Sequence, residues 1–256
     1  MLLKLLKYDF RAMWKQFSLI WGAALALALV NRFTLFRDTS NSVHTNSDLL
    51  ALAFIAVIVA MFVIGIGFVI NRFSKGLLGN EGYLMHTLPV RPWQLVASKL
   101  ICGVVTWVGC GVVAILSPIF MLPFNLPDLL QFPFWSDIFR GLMKHPDMLV
   151  LVAETCLVIV SFLVVNIAAI YLAISVGHLF PRHRRLLSVA AFIGLYILLV
   201  NVYNRVFTYE FVHFLLDITT TTTHGSMLTA IAVMLIPAAV FLAAVCWILE
   251  HKLNLE

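Results

Sequence analysis

Six long apolar runs constrain this 256-residue chain more than any other feature: Phe17–Phe36, Leu49–Ile70, Leu100–Leu122, Met148–Gly177, Leu186–Asn204 and Met227–Leu249. An α-helix rising ~1.5 Å per residue needs about 20 residues to cross a ~30 Å hydrocarbon layer, and each run is long enough. Only 11% of the residues are Asp, Glu, Lys or Arg, and 62% are hydrophobic. Soluble domains carry about 25% charge, so a soluble globular protein is excluded. The expected fold is an all-α integral membrane protein with six transmembrane helices. The connections are too short to hold a water-soluble catalytic domain of ~50 residues or more.

The +5 net charge is informative through its distribution over the loops. Lys4, Lys7, Arg11 and Lys15 precede the first run, Arg72, Lys75, Arg91 and Lys99 flank the second loop, Arg182, Arg184 and Arg185 follow the fourth run, and Lys252 follows the sixth. The other side holds Arg32, Arg37, Arg140, Lys144 and Arg205. That is 12 against 5 of the 17 basic residues, which by the positive-inside rule puts both termini in the cytoplasm. The loops' basic charge sets topology and meets anionic headgroups; nucleic acid is not an expected partner. Cys102, Cys110, Cys156 and Cys246 all fall in spans, where a thiol packs as a small hydrophobe.

Residues 1–16 place Leu2, Leu6, Phe10 and Met13 on one helical face and Lys4, Lys7, Arg11 and Lys15 on another. This pattern predicts an amphipathic elbow helix lying in the interface. A cleavable signal peptide has a basic start too, but this one is long and itself amphipathic. Between the second and third spans, Gly76, Gly79 and Gly82 loosen the backbone, and Pro89 and Pro92 stop the short helix that follows. That cytoplasmic helix, residues 81–88, presents Tyr83, Leu84, Met85 and His86, a contact-surface composition. On the outer side, Phe124, Phe132, Phe134 and Trp135 suit an aromatic belt. Residues 207–218 read as a short amphipathic or re-entrant helix, and Thr219–Thr223 as a polar turn.

No phosphate-binding loop occurs; "GLLGNEG" has neither the lysine nor a preceding strand. H-E-x-x-H, G-x-S-x-G and closely paired intramembrane acids are missing as well, so the chain is not expected to be an enzyme. His178 and His183 flank Pro181 in a basic loop that repels cations, and no metal site is expected. Glu154 is an acid inside an apolar run, which marks either a translocation path or a structural pair with Arg140 or Lys144 near the outer end. Asn166 and Asn201 lie deeper, as helix-bridging amides or further path residues, and Pro237 predicts a kink in the sixth span.

The stretch "EGYLMHTLPVRPWQLVASKL" and the opening "LLKYDFRAMWKQF" resemble the permease subunits of the ABC type-2 exporter family, in small six-span bacterial form. The matching residues are Glu81, Gly82, Leu88, Pro89, Val90, Arg91, Gln94, Lys99 and Leu100. The resemblance implies that Glu81, Gly82, Tyr83, Leu84, Met85, His86, Leu88 and Pro89 form a coupling helix against a separate ATP-binding subunit, with 178–185 a lesser contact. It further implies two permeases, identical or related, with two ATPase subunits in the cell membrane, the permease dimer enclosing the path. ATP and Mg would be bound by the partner subunit and none by this chain. An apolar path lined by aromatics suits a lipid-like, drug-like or peptide cargo. Two other classes fit the same spans: an ATP-independent accessory protein or channel, and a membrane-embedded enzyme.

Overall fold

The computed structural model describes residues 2–37, 44–78, 92–121, 140–141, 143–144, 146–180, 183–216 and 220–251. The described residues form six long helices and no strand: α1 (Leu2–Arg37), α2 (His44–Phe73), α3 (Pro92–Met121), α4 (Pro146–His178), α5 (Arg184–Leu216) and α6 (Thr220–His251). All six are long and apolar enough to cross a membrane. The helices contain the expected spans Phe17–Phe36, Leu49–Ile70, Met148–Gly177, Leu186–Asn204 and Met227–Leu249 whole, and α3 contains 100–121 of the expected Leu100–Leu122.

The helices extend beyond these spans, furthest of all in α1. An elbow helix followed by a separate span is the expectation for residues 1–36, yet α1 runs unbroken from Leu2 to Arg37. No proline or glycine occurs before Gly22, so nothing at Gln16 or Phe17 interrupts the backbone ladder. The same reasoning applies to α5, which continues to Leu216 through most of the segment expected to form its own short helix. Thr220–Thr223 are not a turn but the first turn of α6. The outer aromatics Phe124, Phe132, Phe134 and Trp135 lie outside the described residues.

The chain packs into two compact units, one made of 7–68 and 105–146, the other of 1–6, 69–104 and 147–256. In the former, Met13, Phe17 and Ala24 of α1 join Met61 of α2 and Cys110 and Val113 of α3 in a buried core. Aromatic rings interlock there: Phe17 meets Phe68 edge-on at 5.1 Å, and Phe62 lies 5.6 Å from Trp107. Trp21 settles over Gly109, where any Cβ would collide with its ring, and its Nε1–H donates to Cys110 Sγ at 3.5 Å. Close approach over a glycine is how membrane helices gain dispersion contact in place of a hydrophobic driving force.

In the other unit α4 is the interior element, with 44% of an 18-residue apolar stretch buried against 6% in α5. Tyr171 of α4 stacks on Phe73 of α2 at 4.1 Å and 11°. Gly103 of α3 lies against Ile167 and Val69, and Gly177 of α4 against Ser188 and the Arg184 carbonyl of α5. Backbone bonds from Leu179 to Val176 and from Phe180 to Gly177 close α4, and one from Leu187 to His183 opens α5. Cys102 and Cys110 are buried as expected of packing thiols, whereas Cys156 is exposed on α4.

Candidate functional site

Hydroxyls and amides within the helices are largely spent on their own backbones. Ser117, Thr155, Ser161, Ser175 and Ser188 each donate to the carbonyl four residues earlier. Such back-bonding satisfies a polar group in hydrocarbon without recruiting a neighbour. Asn166 and Asn201 do likewise: their Nδ2 atoms donate to Phe162 O at 2.7 Å and to Ile197 O at 2.8 Å. The amide N–H groups expected to bridge helices are therefore turned onto their own. Asn166 is half-buried in α4 and Asn201 is exposed on α5.

Glu154 behaves differently. Its side chain is 13% exposed, and its Oε2 lies 2.8 Å from His224 Nδ1 of α6, an arrangement in which the ring N–H donates to the carboxylate. Glu154 lies eight residues into α4 and His224 four residues into α6. The pair joins α4 to α6 across 70 residues of sequence. Arg140 and Lys144 are the partners expected from sequence; the partner the structure shows is His224. His224 precedes the apolar run Met227–Leu249, so hydropathy alone does not assign it to the sixth span.

An ionisable group in a span is a functional candidate because its burial is costly. His224 is 39% exposed, so the pair has an accessible side. Among the described residues no three His, Cys, Asp or Glu side chains gather as metal ligands would.

The segment Glu81, Gly82, Tyr83, Leu84, Met85, His86, Leu88 and Pro89 lies outside the described residues, which resume on either side at Leu78 and Pro92. α2 passes into a π-helical turn, Ser74–Leu78, in which Leu77 is wholly buried. π-turns are rare and frequently mark functional positions. On the far flank α3 opens at Pro92, a residue suited to a helix start, and buries Leu95, Val96, Ser98 and Lys99 within seven residues. The Lys99 side chain, 3% exposed, lies against Gly76. Both flanks thus belong to one packed unit. In the 178–185 loop, His178 Nδ1 meets Ile174 O at 3.0 Å, and His183, Arg184 and Arg185 are exposed.

The chain matches no family model, no curated protein and no solved structure.

Proposed function

We propose that this chain is the transmembrane permease subunit of an ATP-driven ABC exporter, working with a separate nucleotide-binding subunit. The observation that carries the reading is the framing of the segment around Glu81–Pro89. Leu77 beside Gly76 on one flank, and Leu95, Val96 and Lys99 on the other, are all buried in one unit. A coupling segment held between flanks so anchored would transmit a push to α2 and α3 together. The sequence resemblance around "EGYLMHTLPV" supports the same reading, as do the six apolar helices. Closure of a nucleotide-bound ATPase pair would supply the push, and its differential affinity for two permease states would supply the bias.

On this reading Glu81–Pro89 seat in the ATPase subunit and a second permease, identical or related, completes the path. Glu154, Asn166 and Asn201 are the candidate path residues, and the cargo is lipid-like, drug-like or peptide. The test is affinity purification of the tagged protein in mild detergent, with mass spectrometry and an ATPase assay on the eluate. A stoichiometric nucleotide-binding subunit with ATPase activity, lost on Tyr83→Glu with Met85→Glu, is the expected result. A clean ATPase-free homo-oligomer would overturn the proposal in favour of an ATP-independent channel or accessory protein.

A further inference from the structure

We infer that the N-terminal third of α1 holds a site for one anionic phospholipid, with its phosphate between Arg11 and Lys15 and an acyl chain laid along the helix below them. The head of the site is an open groove of about 570 Å³ lined by Phe10, Arg11, Trp14, Lys15 and Ser18. Arg11 and Lys15 are exposed one turn apart, the spacing at which two side chains can share a ligand. The acid of this stretch, Asp9, is 4% exposed and lies on the buried ridge with Met13 and Phe17, so it faces away from the groove. Trp14 is 59% exposed beside the two cations, with Trp21 set edge-on behind it at 6.1 Å.

Depth identifies the ligand as a lipid and not a dissolved anion. Residues 16–31 carry no charge, and Lys15 and Arg32 bound them. Those 17 steps span about 26 Å of helix, close to the hydrocarbon thickness, so Lys15 sits at the boundary where lipid phosphates lie. Exposed Trp14 suits the same depth. Below the cations the same helical face continues through Ser18, Gly22, Ala26 and Leu29. Nothing lies within 4 Å of the position a Gly22 Cβ would take, which leaves a shallow trough pointing into the acyl layer. A cationic head with a small-residue trough under it matches a phospholipid end to end. The unbroken course of α1 makes this arrangement possible, since an elbow at Gln16 would turn head and trough in different directions.

The test is native mass spectrometry of the purified full chain titrated with phosphatidylglycerol or phosphatidylcholine. The expected result is one tightly held phosphatidylglycerol, with affinity falling about fivefold for each charge removed in Arg11→Gln and Lys15→Gln. Lys75→Gln with Arg185→Gln removes the same charge from exposed positions elsewhere and should leave that affinity unchanged. Gly22→Leu keeps every charge and fills the trough, so it should weaken phosphatidylglycerol binding by itself. Equal losses in both charge pairs, phosphatidylcholine binding as tightly, or displacement by inorganic phosphate at comparable concentration would each overturn the site.

Discussion

His224 and Glu154 meet at 2.8 Å near the N-terminal ends of α6 and α4, with the carboxylate the more deeply buried partner. A lone carboxylate in a span is costly, so the pair has a structural value whatever else it does. In a double-mutant cycle with Glu154→Gln and His224→Gln, followed by SDS-induced unfolding, the coupling should be about 0.6–1.7 kcal/mol, the range of interhelical hydrogen bonds in membranes. The same variants separate the roles. A residue on the transport path alters ATP-driven transport at unchanged expression, while a purely structural pair changes unfolding and leaves the rate alone.

Glycine positions give a sharper stability prediction, because their surroundings differ so plainly. At Gly109 a methyl group meets the Trp21 ring, and at Gly177 it meets Ser188 and the backbone carbonyl of Arg184. Overpacking of this kind costs about 1–3 kcal/mol, so both Gly109→Ala and Gly177→Ala should lower the unfolding midpoint. Trp21→Phe should partly restore Gly109→Ala, since a side chain can be trimmed. No single side-chain change should restore Gly177→Ala, where backbone is in the way. Gly111→Ala and Gly194→Ala face open space and should be neutral or slightly stabilising.

These sites also show what could be read from the sequence. The six spans were legible because hydropathy over about 20 residues is a local property, and all six long helices carry it. The course of α1 was not. Its amphipathic first 16 residues suggested an element of their own, but amphipathicity says which face is apolar and cannot say where the axis bends; only a breaker does that, and none precedes Gly22. Glu154 was legible as an ionisable residue in an apolar run. Its partner was not, because a contact across 70 residues is fixed by packing of α4 on α6 and leaves no local pattern. Asn166 and Asn201 misled for the opposite reason: a polar residue in a span predicts a partner, and the nearest one is the carbonyl one turn back.

The stacked pair Phe73 and Tyr171 should behave as one unit. Tyr171 is 1% exposed and Phe73 fully buried, so truncating either to alanine should cost about 3–5 kcal/mol. Their rings lie parallel at 4.1 Å, and the double-mutant coupling should be about 0.5–1.5 kcal/mol, measured by SDS unfolding. Additive losses would mean that the two residues only fill volume. Phe73 immediately precedes the π-helical turn, so loosening this stack should also raise hydrogen exchange at Ser74–Leu78.

Orientation is the last expectation and the one on which the cytoplasmic placement of Glu81–Pro89 depends. Cysteines introduced at His183, exposed between α4 and α5, and at Met143, 71% exposed ahead of α4, sit on opposite sides of α4. The exposed Cys156 is first replaced by alanine to remove background. A membrane-impermeant maleimide added to intact cells should label Met143→Cys, and His183→Cys only after permeabilisation. That result places Arg184 and Arg185 with the cytoplasmic charges, and by alternate crossings it places the α2–α3 connection on the same side. The reverse pattern would put the Glu81–Pro89 segment outside the cell, beyond reach of any ATP-hydrolysing subunit, and the transporter proposal would fail on geometry alone.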